Sequence, residues 1–195
     1  MAADPPALKR IVILGDSITA GFGLDLAEAY PALLQKKVEQ RGLPFVVVNA
    51  GVSGDTTSGG LRRINWVLRQ PADVLVIALG GNDGLRGIPP SVTQSNLCAL
   101  IDHARELAPG VRVILAGMQM PPSMGEDYTK AFRELFPEVA QSRKTERIPF
   151  LLEGVGGRVE LNQLDLIHPT AEGQRIVAAN VWKVLDPILD RSATR

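Results

Sequence analysis

Four short segments of the chain hold runs that are apolar at nearly every position: residues 11–14 within 9–14, and residues 45–48, 74–79 and 111–116. Runs of that length, rich in Val and Ile, predict strands buried on both faces, not the alternation of a half-exposed sheet. Leu151 and its neighbours offer a weaker fifth. Between these runs, apolar residues recur at the three- and four-residue spacing of amphipathic helices. Residues 30–40 carry Leu33, Leu34 and Val38, with Pro31 suited to a first turn and Gly42 to a stop. Residues 58–69 carry Leu61, Ile64 and Leu68, and 91–107 carry Leu97, Leu100, Ile101 and Ala104. Residues 127–142 carry Tyr128, Phe132, Leu135 and Val139, and 169–185 carry Ile176, Val177, Val181 and Val184. Buried strands alternating with helices predict an α/β protein with a parallel sheet covered on both faces. No repeat, low-complexity segment or linker marks a second domain.

Two long irregular stretches, 80–90 and 118–126, each follow a strand. In open α/β sheets, ligands bind beyond the carboxyl ends of the strands. Ser17, the 49–57 loop and the 80–83 loop all fall at that edge, so architecture alone gathers a serine and several glycine-rich turns.

Bulk properties narrow the function classes. A chain of 195 residues suits one domain, with its core at about residues 9–189. With 21 basic and 21 acidic residues the formal charge is zero, which gives no sign of a nucleic-acid or anionic-membrane partner. No apolar stretch approaches the roughly 20 residues of a bilayer span, so stable membrane insertion is not expected. Cys98 is the single cysteine, so an internal disulfide is impossible. The first residues lack the cationic start and apolar segment of an intact signal peptide. A mature exported chain with an added Met would read the same way, and composition leaves both compartment and oligomeric state open.

The candidate chemistry lies in four places. Ser17 follows the first strand in Gly15-Asp16-Ser17. There it can act as a nucleophile if a base takes its proton, or simply cap a helix or turn. Asp165-Leu166-Ile167-His168-Pro169 places a carboxylate within reach of an imidazole; the pair can orient a base, or be a surface histidine with an acidic neighbour. Pro169 reads as the opening turn of the last helix. His103 is the only other histidine; it falls to the side of its helix's apolar stripe and reads as surface. Asn82, in Gly80-Gly81-Asn82-Asp83, and the glycines of residues 49–55 can present amide donors to a developing oxyanion, or serve turns. The glycines match neither a dinucleotide fingerprint nor a P-loop. One Asp-x-x-His is too little for zinc, and Ser17 lacks the Gly-x-Ser-x-Gly elbow.

These blocks, in this order, resemble the GDSL or SGNH hydrolase family. The four letters of the second name match Ser17, Gly54, Asn82 and His168. Within the family, residues 51–57, the run 79–87 and the Met120-Pro121 loop are most similar to the bacterial thioesterase I/arylesterase/lysophospholipase L1 group. The resemblance implies a three-layer α/β/α, flavodoxin-like fold with about five parallel strands. It implies Ser17 as nucleophile, His168 as base and Asp165 as its orienter. The oxyanion donors would be the Ser17 and Gly54 N–H groups and the Asn82 side chain. The substrate site would be lined by Asp16 and Val52, by Leu85, Arg86, Ile88 and Pro89, and by Met120. No metal or organic cofactor is implied, the partner being a small acyl ester or thioester, and the setting periplasmic or secreted. Two departures are local. Ile18 stands where Gly-Asp-Ser-Leu ends, and Leu166-Ile167 fills a place where smaller residues occur. Pro89-Pro90 is expected to stiffen the loop after Asn82. A carbohydrate O-acetyl esterase and a non-catalytic binding module on the same scaffold are the alternatives.

Overall fold

A computed structural model describes residues 8–193. Five parallel strands form one sheet in the order β2-β1-β3-β4-β5. They are β1 (Lys9–Gly15), β2 (Phe45–Gly51), β3 (Val74–Ala78), β4 (Arg112–Ala116) and β5 (Glu146–Ile148). The helices are α1 (Ser17–Ala20), α2 (Tyr30–Gln40), α3 (Thr57–Val67), α4 (Gly81–Leu85), α5 (Pro90–Leu107), α6 (Glu126–Arg143) and α7 (Ala171–Ala193). α3, α5 and α6 pack side by side, and α2 packs on α7. Right-handed crossovers put these two groups on opposite faces, because the chain runs from β1 outward to β2 and then reverses toward β5. The result is the expected three-layer α/β/α fold.

Every residue of β3 is buried, and from Ile11 onward so is β1. Ile11, Ile13, Leu75, Ile77, Leu100 and Phe136 belong to one continuous core. Each such side chain, withdrawn from water, favours folding by roughly 1.5–3 kcal/mol.

Three expectations need correction. β2 is not buried on both faces: Val46, Val47 and Val48 are half-exposed, because this strand is a sheet edge. The fifth strand is Glu146–Ile148, ahead of Leu151. Leu151 is buried in the following turn, where its N–H donates to the Gly117 carbonyl. A three-residue edge strand that begins with Glu146 and Arg147 has almost no hydropathic signature. Finally, α7 opens at Ala171, not at Pro169. Pro169 forms an isolated bridge with Asn162, and the Thr170 hydroxyl accepts from the Gly173 N–H at 3.3 Å as a cap.

The strand order reverses between β1 and β3. That switch point opens a crevice at the carboxyl ends of these two strands. β1 leads into Ser17, and β3 leads into Gly81 and Asn82.

Candidate active site

Ser17 is the first residue of α1, directly past the end of β1. The cap of that helix is Asp16, not Ser17: its Oδ1 accepts the Ile18 N–H at 3.0 Å. Ser17 Oγ is therefore released from local duty. It lies 2.8 Å from His168 Nε2. The β1–α1 junction is drawn tight against β2. At Gly51 a Cβ would strike the backbone of Thr19 and Ala20, so only glycine lets α1 approach so closely. Across the molecule, the Gln174 side chain accepts from the Tyr30 N–H and donates to the Ile18 carbonyl, which fixes α1 to α2 and α7.

His168 Nδ1 lies 2.6 Å from Asp165 Oδ2. The other carboxylate oxygen accepts the N–H groups of Ile167 and His168 at 2.9 and 3.0 Å. To bring both groups onto one oxygen the chain turns at Leu166, whose φ is +60°. A left-handed conformation costs a leucine roughly 1–2 kcal/mol. The donors, led by the His168 backbone N–H and then its ring, hold the Asp165 carboxyl down at about 2. An ionised carboxylate accepts from Nδ1–H, which leaves Nε2 bare toward the serine.

Asn82 Nδ2 donates to the Asp55 carbonyl at 2.9 Å. An amide nitrogen carries two hydrogens, so this bond orients the group and leaves one donor for a ligand. Gly54, with φ +77°, occupies the region that a side chain resists, and its N–H belongs to the same turn. α4 is anchored by Asp83, which is wholly buried and accepts from the Thr57 N–H at 2.8 Å and from the Thr57 hydroxyl. Ser17 opens its helix, so its N–H has no intrahelical acceptor. The three donors expected at an oxyanion thus sit at the start of α1, in the turn after β2 and in the first turn of α4.

The other expected residues separate. Val52 and Leu85 are exposed apolar side chains on the loops that carry Gly54 and Asn82. Ile88 and Pro89 lie in the connection to α5, where Pro89 caps and Pro90 starts that helix. The Tyr128 hydroxyl, shared between the Gly84 and Ile88 carbonyls at 3.2 and 2.8 Å, fastens this loop further. Arg86 is occupied: its guanidinium donates to the Gly54 carbonyl at 2.7 Å. Met120 packs over Gly84. Asp16 is buried, 2% exposed, with its carboxylate turned to the cap of α1. His103 is half-buried at the side of α5, as its position in the stripe implied.

Two site residues escaped the sequence reading. The Phe22 ring lies 4.5 Å from that of His168, centroid to centroid. Arg63, on α3, donates into three separate segments at the sheet edge. Phe22 lies five positions past Ser17 between two glycines, where an exposed aromatic was the one available sign.

Burial pushes the Asp16 carboxyl up to about 6, against the bond from Ile18 N–H that pulls it down. A raised carboxyl contributes stability fully present below the unfolded value near 3.8 and lost as pH rises through 6. Asp16→Asn keeps the cap acceptor without the charge. Its stability relative to the wild type is expected to rise by up to about 3 kcal/mol between pH 4 and pH 8. Denaturant melts at the two pH values check this; a difference independent of pH refutes it.

A doubly covered parallel sheet with a serine, an imidazole and a carboxylate in hydrogen-bonded series at its carboxyl edge defines a hydrolase of the serine type. The chain belongs to the GDSL-like lipase/acylhydrolase family, whose pattern matches residues 13–176. It is 45% identical to esterase TesA of Pseudomonas aeruginosa over 184 residues, 94% of this chain and 90% of that protein. It is 35% identical to thioesterase 1/protease 1/lysophospholipase L1 of Escherichia coli K12 over 189 residues, 96% of this chain and 88% of that protein. The fold is similar to that of the psychrotrophic esterase EstA from Pseudoalteromonas, solved inhibited by monoethylphosphonate, with a TM-score of 0.87 at 31% identity over 93% of this chain and 99% of that one. The protein is a carboxylic ester hydrolase acting on small-molecule esters. Among the described residues, no helix is long and apolar enough to cross a membrane.

Proposed function

We propose that Ser17, His168 and Asp165 carry out the hydrolysis, and that the substrates are esters and thioesters of apolar acyl groups. The observation that carries the residue roles is the unbroken series Ser17 Oγ, His168 Nε2, His168 Nδ1, Asp165 Oδ2, at 2.8 and 2.6 Å. Ser17 Oγ attacks the acyl carbon as its proton passes to Nε2. The carbonyl oxygen becomes an oxyanion held by the N–H groups of Ser17 and Gly54 and the second hydrogen of Asn82 Nδ2. Each such donor lowers the barrier by about 3 kcal/mol. The tetrahedral centre collapses, and Nε2–H protonates the departing alkoxide or thiolate. Water then attacks the acyl-enzyme by the same route, giving its proton to Nε2, which returns it to Ser17 Oγ as the acid leaves.

Apolar acyl groups are favoured by the surroundings. Phe22, Val52, Leu85, Leu166 and Ile167 are all exposed on the loops that carry the reacting groups. Clustered exposed apolar side chains on a soluble domain mark a surface that binds apolar ligands. Thioesters and lysophospholipids enter through the similarity to the Escherichia coli protein.

A panel of aryl esters, acyl thioesters, a lysophospholipid and acetylated sugars, with acyl chains of increasing length, tests the reading. Expected is a rise in kcat/KM from acetyl to longer acyl groups on both oxygen and sulfur leaving groups. Activity confined to acetylated sugars would instead identify a carbohydrate deacetylase.

A further inference from the structure

Arg63 takes no part in the proton relay, yet its guanidinium bonds to three stretches of backbone and side chain that frame the site. Its Nε donates to Asp55 Oδ2 at 2.7 Å, Nη1 to the Ala50 carbonyl at 2.8 Å and Nη2 to the Gly15 carbonyl at 3.0 Å. The side chains of Arg63 and Asp55 are 19% and 10% exposed, so little water competes for these bonds. Each acceptor leads to a different oxyanion donor. Gly15 ends β1, two residues before Ser17. Ala50 is the penultimate residue of β2, which runs into the Gly54 turn. Asp55 follows Gly54, and its own carbonyl accepts from Asn82 Nδ2.

We propose that Arg63 is a positioning residue that sets the Ser17, Gly54 and Asn82 donors in one frame, a role that rests on the reading of the site given above. The residue pairing between β1 and β2 ends at Gly15 and Gly51; the Val52 N–H still donates to the Gly15 carbonyl at 3.0 Å, but the paired strands stop short of Gly54 and Asp55. A planar guanidinium with donors in fixed directions spans that gap rigidly. The Asp55 carboxylate balances its charge and carries the constraint one residue past Gly54. Donors aimed at an oxyanion act mainly when charge develops, so loosening them weakens the transition state more than the bound ester.

The test uses Arg63→Gln and Arg63→Lys in the full chain. Each protein is reacted to completion with a fluorophosphonate, the Ser17 adduct is counted by mass spectrometry, and kcat and KM on a p-nitrophenyl ester are expressed per adduct-forming site. Arg63→Gln is expected to lose about 100-fold in kcat, the scale of a misplaced catalytic geometry, while KM stays close to that of the wild type. Arg63→Lys, which keeps the charge but loses the fork, is expected to fall between the two. A residue that only supports folding would lower the number of sites that react, not the turnover of each. Wild-type kcat per site in Arg63→Gln, or a loss confined to KM, overturns the proposal. Should Arg63→Gln fail to fold, wild-type kcat per site in Arg63→Lys overturns it equally. Absence of any Ser17 adduct in the wild-type protein would instead count against the nucleophile itself.

Discussion

Ser17→Ala is expected to lower kcat on p-nitrophenyl esters by about 10⁶-fold, the loss typical when the nucleophile of a triad is removed. The fold has no reason to change. Ser17 Oγ is paired with His168 Nε2, and the cap of α1 belongs to Asp16. Residual hydrolysis would come from the amide donors and substrate positioning, which alone are worth about 10³–10⁴ over water. The measurement is turnover beside a circular-dichroism melt. Retained activity with an unchanged melt would assign the chemistry to another group.

Asp165→Asn is expected to be the second most damaging change, with kcat reduced by about 10⁴-fold. An asparagine keeps the size of the side chain and one acceptor oxygen. That oxygen is wanted by the Ile167 and His168 N–H groups. The new NH₂ is then turned toward His168 Nδ1, which must become the bare nitrogen. The ring proton moves to Nε2, where it faces Ser17 and cannot accept. Asp165→Ala imposes no such tautomer. The Asp165 side chain is 38% exposed, so water can stand in for the missing carboxylate. The alanine variant is therefore expected to retain more activity than the asparagine one, although it removes more atoms. The reverse order would show that Asp165 works through the shape of its loop. The wild-type carboxyl, held at about 2, stays ionised throughout the ordinary assay range. Its contribution to stability is present above 3.8 and lost only as pH falls through that lower value.

Much of this site was legible before any coordinates. With two histidines in the chain, and His103 read as surface, His168 was the imidazole the sequence offered as a candidate base. The expected donors at Gly54 and Asn82 came from the resemblance to the GDSL or SGNH family; architecture alone gathered only their loops, because turns after the strands of a parallel α/β sheet open on one edge. The contacts of three residues were not legible. Asp16 was expected at the substrate site, and the structure turns its carboxylate inward to cap α1. Arg86 was read as a substrate contact, and the structure gives its guanidinium to the Gly54 carbonyl. Arg63 drew no attention, because one arginine on an amphipathic helix looks like any solvated charge.

By itself the sequence determined the buried strands, the helices with strong apolar stripes, and the serine, amide and imidazole of the site. Those properties follow from side-chain chemistry and from spacing along one element, which are local. The strand order, the edge position of β2, the short β5 and the start of α7 at Ala171 were decided by tertiary structure. So were the contact between Ser17 and His168 and the reach of Arg63 into three segments. These depend on which distant backbone carbonyls and faces meet, and no periodicity within a single element records that.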